Sequence, residues 1–301
     1  MPAGSRSLGR NRCPSLRSVA VGWLALVSLA ALAALSMASC GGDDLVIGVS
    51  TSVRDTGLLD ELVDEFKRQR PDPAATVKPV AAGSGQLIEL AHRGEVDILI
   101  IHLPGAEAKL IADGDGIDRR ELMHNFFALV GPPDDPARAQ STLTMAEALK
   151  RIAATEKTFI SRGDNSGTHL RELALWRQAG IDPVGQSWYQ ESGAGQGQSL
   201  LIASDKAAYT LVDSSTFDVF QDRLELEPYA FDEEPNQYSV IRVNPDKHDV
   251  NEAAALAFAE FLTSPAGQRI IAEFGRERYG QPLFTPNGVA SDREPAVSLE
   301  R

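Results

Sequence analysis

Three times in this chain a short apolar run breaks into a turn of hydroxyl and glycine residues and then into a helical pattern, and that alternation leaves few folds open. Leu45-Val46-Ile47-Gly48-Val49 is a strand candidate followed by Ser50-Thr51-Ser52-Val53-Arg54-Asp55-Thr56-Gly57. Leu58, Leu59, Leu62, Val63 and Phe66 then share one helical face before Pro71 and Pro73. Residues 76–82 form a second extended segment, followed by Gly83-Ser84-Gly85-Gln86 and a helix expected over 87–93 that Gly94 ends. Asp97-Ile98-Leu99-Ile100-Ile101 is a further strand. In the third unit, residues 157–160 end a buried strand and residues 161–169 make the turn. Leu170, Leu173, Ala174 and Trp176 continue at helical spacing until Gly180. Strand, turn and helix in this order build an α/β fold on a mainly parallel sheet, whose ligands gather at the carboxyl ends of the strands. Three such turns can converge on one small ligand.

The third turn, Ser161-Arg162-Gly163-Asp164-Asn165-Ser166-Gly167-Thr168-His169, carries the most chemistry. Ser166 and Thr168 stand at a helix start, where backbone N–H groups lack intrahelical partners and the helix dipole presents its positive end. Arg162 adds a forked donor suited to two oxygen atoms of one anion. Taken alone, Ser-Gly-Thr before a helix is only an N-cap; its repetition beside two similar turns is what points to an anion site.

Residues 1–18 hold Arg6, Arg10, Arg12 and Arg17 with no acid, and residues 19–37 are an almost unbroken apolar run. This is a signal segment, with a retained membrane span as the alternative. Met37-Ala38-Ser39-Cys40-Gly41-Gly42 resembles a bacterial lipobox, although Met37 stands where leucine is usual. The expectation is a signal peptide over 1–39, lipidation at Cys40 and a tether over 40–44 that holds the protein at a membrane surface. Removing the four arginines takes the formal charge from −13 to −17. An acidic body disfavours nucleic acid as a partner and calls for a recessed anion site built from local dipoles. Of two cysteines only Cys40 remains after cleavage, which excludes an internal disulfide and a thiolate metal cluster.

Two strands, over 125–130 and 237–243, are placed to cross between lobes. The organisation expected is lobe 1 from 45–124 and 237–284, including a helix over 251–263; lobe 2 from 125–236; and a disordered tail over 285–301. A cleft between them collects the Ser52 and Ser84 turns from one side and the 162–168 turn from the other.

These residues bring a family into view. Ser50 to Leu59, Gly83-Ser84-Gly85-Gln86, Arg93-Gly94-Glu95-Val96-Asp97, the 161–169 turn, Leu173-Ala174-Leu175-Trp176, Trp188-Tyr189-Gln190-Glu191-Ser192-Gly193 and Ala208-Tyr209-Thr210-Leu211 together resemble the solute-binding proteins of tungstate ABC importers, over nearly all of 45–284. Val49 and Ser50 stand where that family carries threonines. The resemblance implies the two-lobed class II periplasmic-binding-protein fold, each lobe a mixed, mainly parallel sheet flanked by helices. It also implies an extracytoplasmic, monomeric carrier without cofactor or enzymatic activity, which captures tungstate or molybdate and delivers it to permease and ATPase subunits. The ligand set it implies is Ser52, Val53, Thr56, Ser84, Arg162, Ser166, Gly167 and Thr168. A tetrahedral dianion offers only acceptors, so its site should present only donors.

Phosphate is the alternative in the same class, because the 162–168 and 83–85 patterns also resemble phosphate-binding proteins. Phosphate keeps a proton at neutral pH and needs an acceptor, for which Asp55 and Asp164 are candidates; Asp164 is also placed to brace Arg162. A secreted hydrolase acting on phosphate or ester groups is the alternative of another class, but Ala82 and Gln86 break the elbow pattern around Ser84. The five histidines show no paired metal spacing and are expected mostly on the surface or in loops. Asp113-Gly114-Asp115-Gly116 lacks the later ligands of a calcium loop and reads as a turn. Trp176, Trp188 and Tyr189 are expected in the core, and the acidic run over 218–236 as a solvated face. Arg162 is expected to face a solvated cleft, so that its replacement by Ala removes affinity and spares the fold.

Overall fold

In the computed structural model the residues described are 44–70 and 76–288. The signal segment, Cys40, the tether up to residue 43 and the tail from 289 onward lie outside them. The chain runs β1 (Leu45–Ser50), α1 (Thr51–Thr56), α2 (Leu58–Gln69), β2 (Val77–Ala82), α3 (Ser84–His92), β3 (Ile98–Ile101), α4 (Pro104–Ala112) and β4 (Gly116–Gly131). It continues through α5 (Met145–Ala154), β5 (Phe159–Ser161), α6 (Gly167–Gln178), β6 (Tyr189–Glu191), α7 (Gln196–Asp205), β7 (Tyr209–Asp213), α8 (Ser214–Phe220) and β8 (Glu227–Val243). The last elements are α9 (Glu252–Thr263), α10 (Pro265–Glu273), α11 (Arg276–Tyr279) and β9 (Thr285–Pro286).

All the described strands join one mixed sheet in the order β2-β1-β3-β8-β4-β7-β5-β6, with β9 against β4. At each end lies a parallel trio, β2-β1-β3 and β7-β5-β6, and the long antiparallel pair β4 and β8 joins them. The trios are parallel because helices cross over between their strands. Those helices cover both faces, and β3 is accordingly buried at all four positions. Each fully buried Leu or Ile in β1 and β3 contributes about 1.5–3 kcal/mol. The strands that end in the functional turns are therefore among the firmest parts of the chain.

β4 and β8 are longer than their apolar runs foretell. The sequence suggests strands over 125–130 and 237–243, whereas the pairing extends back to Gly116 and Glu227 and absorbs several bulges between Ile117 and Val130. Polar and acidic residues hid these extensions from a hydrophobicity pattern. The two halves of the pair take different neighbours: Ser239 to Arg242 of β8 join β3, and Phe127 to Val130 of β4 join β7. The buried apolar clusters divide in the same way. Two are built from residues 45–123 and 238–284, two from residues 127–226, and the half-buried Val219 reaches across.

Three further expectations change in detail. α3 begins at Ser84 rather than Leu87, which puts the Ser84 hydroxyl in its first turn. The acidic run over 218–236 is not a plain solvated face. Asp218 lies in α8 and residues from 227 belong to β8, where Asp232 is buried against Arg171 at 2.5 Å and Glu234 holds the same guanidinium at 2.8 Å. Thr285 and Pro286, placed in the tail by the sequence reading, pair with His124 and Met123. Trp176, Trp188 and Tyr189 pack with Phe159 in one core, as expected, with ring centroids 5.1 Å apart for Phe159 and Trp176 and 5.5 Å for the two tryptophans.

Candidate functional site

Sheet register places the site. Ser50 pairs with Ala82 at the ends of β1 and β2, and Ser161 pairs with Glu191 at the ends of β5 and β6, so the turns that follow leave the sheet side by side within each trio. Four helices start there. α1 follows Ser50 directly, α3 follows Gly83, α6 follows residues 162–166 and α7 follows residues 192–195. Ser50 makes no side-chain cap bond, and Gly83 and Gly195 have no side chain with which to make one. The first-turn N–H groups of α1, α3 and α7 are therefore uncapped by their own N-cap residues. Only α6 has such a cap, Ser166 Oγ accepting from His169 N at 3.4 Å.

The turns of the two segments meet. Arg162 Nη1 donates to Gln196 Oε1 at 3.0 Å, and Nη2 donates to Thr51 Oγ1 at 3.3 Å and to Asp164 Oδ2 at 2.5 Å. The start of α3 lies against residues 164–166: a Cβ on Gly85 would stand 2.8 Å from Asn165 O, so only glycine allows the approach. Gly167 is held still more closely, with His102 O 2.2 Å from where its Cβ would be. Gly167 thus acts by letting the end of β3 touch the start of α6.

Electrostatics follow from burial. Arg162 is 2% exposed, which corrects the expectation that it faces a solvated cleft, and the adjacent carboxylate of Asp164 offsets its desolvation. Asp164 Oδ1 accepts from Ser166 N at 3.1 Å, so both its oxygens are used and it braces the turn. Asp55 is committed too, with Oδ1 to Arg54 at 2.7 Å and Oδ2 to Gly197 N at 3.2 Å. Each carboxylate therefore accepts from the protein on both of its oxygens.

Donors remain. Among the described residues, the buried side-chain atoms without a hydrogen-bond partner include Arg162 Nε and Thr168 Oγ1. Such orphans are costly and call for an explanation. The Ser84 hydroxyl accepts from His102 N at 3.4 Å and Ser166 Oγ from His169 N, which leaves both protons to donate. Ser52 is reached by a relay. Asn236 Nδ2 donates to Tyr238 OH at 3.1 Å, and Tyr238 OH lies 2.9 Å from Ser52 Oγ, so the phenol can donate to Ser52 and leave the serine proton for Ser50 Oγ, 3.2 Å away, or for another acceptor. Burial holds the Tyr238 hydroxyl far above its usual pKa, so it stays a neutral donor. Asn236 also donates to Asn125 Oδ1 at 2.7 Å and takes His102 Nδ1 at 2.8 Å; Asn125 Nδ2 donates in turn to Asp213 at 3.0 Å. This chain lies where β3, β4, β7 and β8 meet.

The expected ligand set is thus brought together with two adjustments. Ser52, Ser84, Arg162, Ser166, Gly167 and Thr168 lie at the junction. Val53 has its side chain in the core, so only its N–H, in the first turn of α1, is available. Thr56 is turned away. It sits at the far end of α1, donates to Val53 O at 2.8 Å and lines a separate cavity of about 820 Å³ with Glu61, Arg269 and Tyr279.

The residues that sequence reasoning missed are Thr51, Gln196, His102 and the Tyr238–Asn236–Asn125 relay. Polar side chains recurring in the apolar ends of β3, β4 and β8 were the available signal. His102 and His169 are buried, not superficial, and burial pushes His102 down to about 4 and lowers His169 as well, so both are neutral. Ligand atoms of His92, Asp113 and Asp115 lie within 4.8 Å of one another, but Lys109 sits on Asp113 at 2.5 Å and Lys247 on Asp115 at 3.2 Å. That cluster is a saturated ion-paired turn.

A model of the PBP superfamily domain matches residues 38–266. A tungstate-binding protein, TupA, of Peptoclostridium acidaminophilum is 42% identical over 250 residues, covering 81% of this chain and 86% of that protein. The chain belongs to the tungstate-binding protein family. The TupA of Campylobacter jejuni is 34% identical over 241 residues, covering 77% of this chain and 87% of that one. Among solved structures, the tungstate ABC transporter protein from Geobacter sulfurreducens superposes with a TM-score of 0.70 at 39% identity, over 77% of this chain and 98% of its own. TupA of Desulfovibrio alaskensis G20 gives 0.65 at 35% identity, over 81% and 98%. The mixed, mainly parallel sheet flanked by helices is the architecture that this tungstate-binding family shares.

Proposed function

We propose that this protein captures tungstate, with molybdate as the neighbouring case, in a cleft between two lobes and delivers it to the permease and ATPase of an ABC importer. The observation that carries the reading is the donor-rich junction: the unpartnered Arg162 Nε and Thr168 hydroxyl beside the starts of α1 and α3, which have no side-chain cap from their N-cap residues, with Asp164 and Asp55 both bonded to protein donors. Ser52, Ser84 and Ser166 give their hydroxyl protons, and Val53 and Gly167 their N–H groups. Charge-assisted hydrogen bonds contribute about 1.5–3 kcal/mol each, so a handful supports tight binding after association costs. The relatives named as tungstate-binding proteins support the choice of anion.

Lobe 1 is assigned to 45–124 and 237–284 and lobe 2 to 125–236, with β4 and β8 as the hinge; the separate apolar clusters support this division. Thr285 and Pro286 extend lobe 1 slightly. The carrier reading includes an extracytoplasmic location, cleavage before Cys40 and lipidation there, and a monomer. No helix among the described residues is long and apolar enough to cross a membrane. The phosphate alternative is less favoured because the two candidate acceptors, Asp164 and Asp55, already accept from protein donors on both oxygens. The hydrolase alternative is disfavoured at Ser84, which meets the backbone N–H of His102 while the ring Nδ1 is bonded to Asn236.

Elemental analysis tests the reading. Protein expressed in medium with equal tungstate, molybdate and phosphate, then dialysed, should carry close to one tungsten or molybdenum atom per chain. Retention of phosphorus instead would transfer the protein to the phosphate carriers. In cells, a fatty-acid label should enter the wild type and be lost in Cys40→Ala; equal labelling of both would remove the anchor from the account.

A further inference from the structure

The start of α7 is capped from outside its own segment. Gly195 has no side chain to offer, and the first N–H groups go instead to α1: Gln196 N donates to Thr51 Oγ1 at 3.4 Å and Gly197 N to Asp55 Oδ2 at 3.2 Å. Gly197 fits this contact, because a Cβ there would stand 3.1 Å from Asp55 Oδ2 and 2.4 Å from Phe220 Cζ. The other oxygen of Asp55 is held by Arg54 Nε and Nη2, both at 2.7 Å, which fixes the carboxylate over the helix end. The Asp55 side chain is 12% exposed, so the bond is sheltered from solvent competition.

We propose that Asp55 is a closure-dependent cap, a positioning residue that engages α7 only when the lobes are shut and thereby sets how fast the bound anion leaves. The proposal rests on the two-lobe carrier reading. A carboxylate at a helix N-terminus is favourable because it meets unpaired N–H groups and the positive end of the dipole. When that helix belongs to the opposite lobe, the whole gain appears in the closed state alone. A difference between states is what shifts a conformational equilibrium. Opening must break the cap as well as the ligand contacts, so the cap slows release. It bonds a backbone N–H of the protein and not the anion, so it acts on every bound anion by the same factor and leaves selectivity alone. The sequence reading offered Asp55 as an acceptor facing phosphate; its geometry gives it this other role.

The test uses the mature chain and its Asp55→Ala and Asp55→Asn variants. Dissociation rates are measured by stopped flow for tungstate and for molybdate, with small-angle scattering of ligand-free and loaded protein. Asp55→Ala should release both anions faster by one common factor, roughly 3–30-fold for the usual range of a cap, with association unchanged. Asp55→Asn, which keeps an acceptor without the charge, should fall between. Loaded wild type should be more compact than ligand-free protein, and this difference should shrink in Asp55→Ala. An unchanged dissociation rate overturns the proposal, as does a factor that differs between the two anions, which would mean direct ligand contact. Equal loss of thermal stability with and without anion also overturns it, since that marks a static role. If the wild type binds neither anion, the carrier reading fails. The cap, which rests on that reading, falls with it; unchanged dissociation rates in Asp55→Ala, beside a wild type that binds both anions, overturn the cap alone.

Discussion

At the residue scale the proposed site turns on Arg162 and Thr168, each of which has a buried side-chain atom without a hydrogen-bond partner. Arg162→Ala should weaken tungstate binding by about ten- to a hundredfold, the loss of the charge-assisted bond that the unpartnered Nε can give. It should also lower the melting temperature, because Asp164 is left half-enclosed without its cation. Arg162→Lys restores charge but not the fork and should recover only part of the affinity. Thr168→Val separates binding from folding. Removing a hydroxyl that has no protein partner should leave ligand-free stability unchanged or slightly raised while binding weakens. Calorimetric titration and thermal melts check each pair of signs. A different prediction concerns Glu172 on α6, buried with Tyr189 OH at 2.7 Å and Trp176 Nε1 at 3.1 Å. Burial raises its pKa from the ordinary 4.5 to about 7. The protonated form suits the fold, so this stabilisation is full below about pH 4.5 and is lost as pH rises through about 7. His102 works the other way: burial lowers it to about 4, so its contribution is full above its ordinary 6.5 and is lost as pH falls toward 4. Glu172→Gln, which keeps the carbonyl acceptor, should remove the decline between pH 4.5 and 7 and expose the His102 slope in melts taken across pH. Parallel melting curves for wild type and variant would contradict this assignment.

At the scale of elements, the site depends on helix starts held in register by strand ends. Gly85 shows how tightly. Alanine suits a helix better than glycine by up to about 1 kcal/mol, so Gly85→Ala should not destabilise α3 itself. Yet its Cβ would meet Asn165 O at 2.8 Å, so the variant should bind anion weakly while melting at or above the wild-type temperature without ligand. Unchanged affinity would mean that α3 and the 162–166 turn need not touch. The strand-turn-helix units were legible in sequence because period and punctuation agree there: β1 and α2 fall where the residues put them, whereas residues 51–56, read as a turn, form the short helix α1 because its hydroxyl-rich residues carry little apolar periodicity. The start of α3 was misplaced because Ser84 and Gly85 look like loop residues, although they are first-turn residues with a functional reason to be small. β4 and β8 were shortened because their outer halves carry charged and polar residues whose partners, such as Arg171 for Asp232, come from elsewhere in the chain. For the same reason Thr51, Gln196 and the Tyr238 relay could not be found by local pattern. Their significance is a contact across 111 to 186 residues of sequence.

At the scale of the whole molecule, the proposed anion site belongs to an acidic chain with a formal charge of −13. The surrounding field opposes an anion, so in the proposed carrier local helix ends, hydroxyls and one enclosed guanidinium would supply the affinity, and closure of the two proposed lobes would exclude water and strengthen them. Such a site discriminates by protonation as well as by size. A full dianion satisfies every donor; a protonated phosphate brings a donor of its own to a junction whose two nearby carboxylates are engaged. Sulfate is fully ionised but smaller, and leaves buried donors short of an acceptor. The central claim is therefore a selectivity, and calorimetric titration of the mature, unlipidated chain with tungstate, molybdate, sulfate and phosphate in a non-phosphate buffer tests it most directly. Tight one-to-one binding of tungstate, with sulfate and phosphate weaker by orders of magnitude, is the result predicted; phosphate binding as tightly as tungstate, or no binding of any of the four, would contradict it.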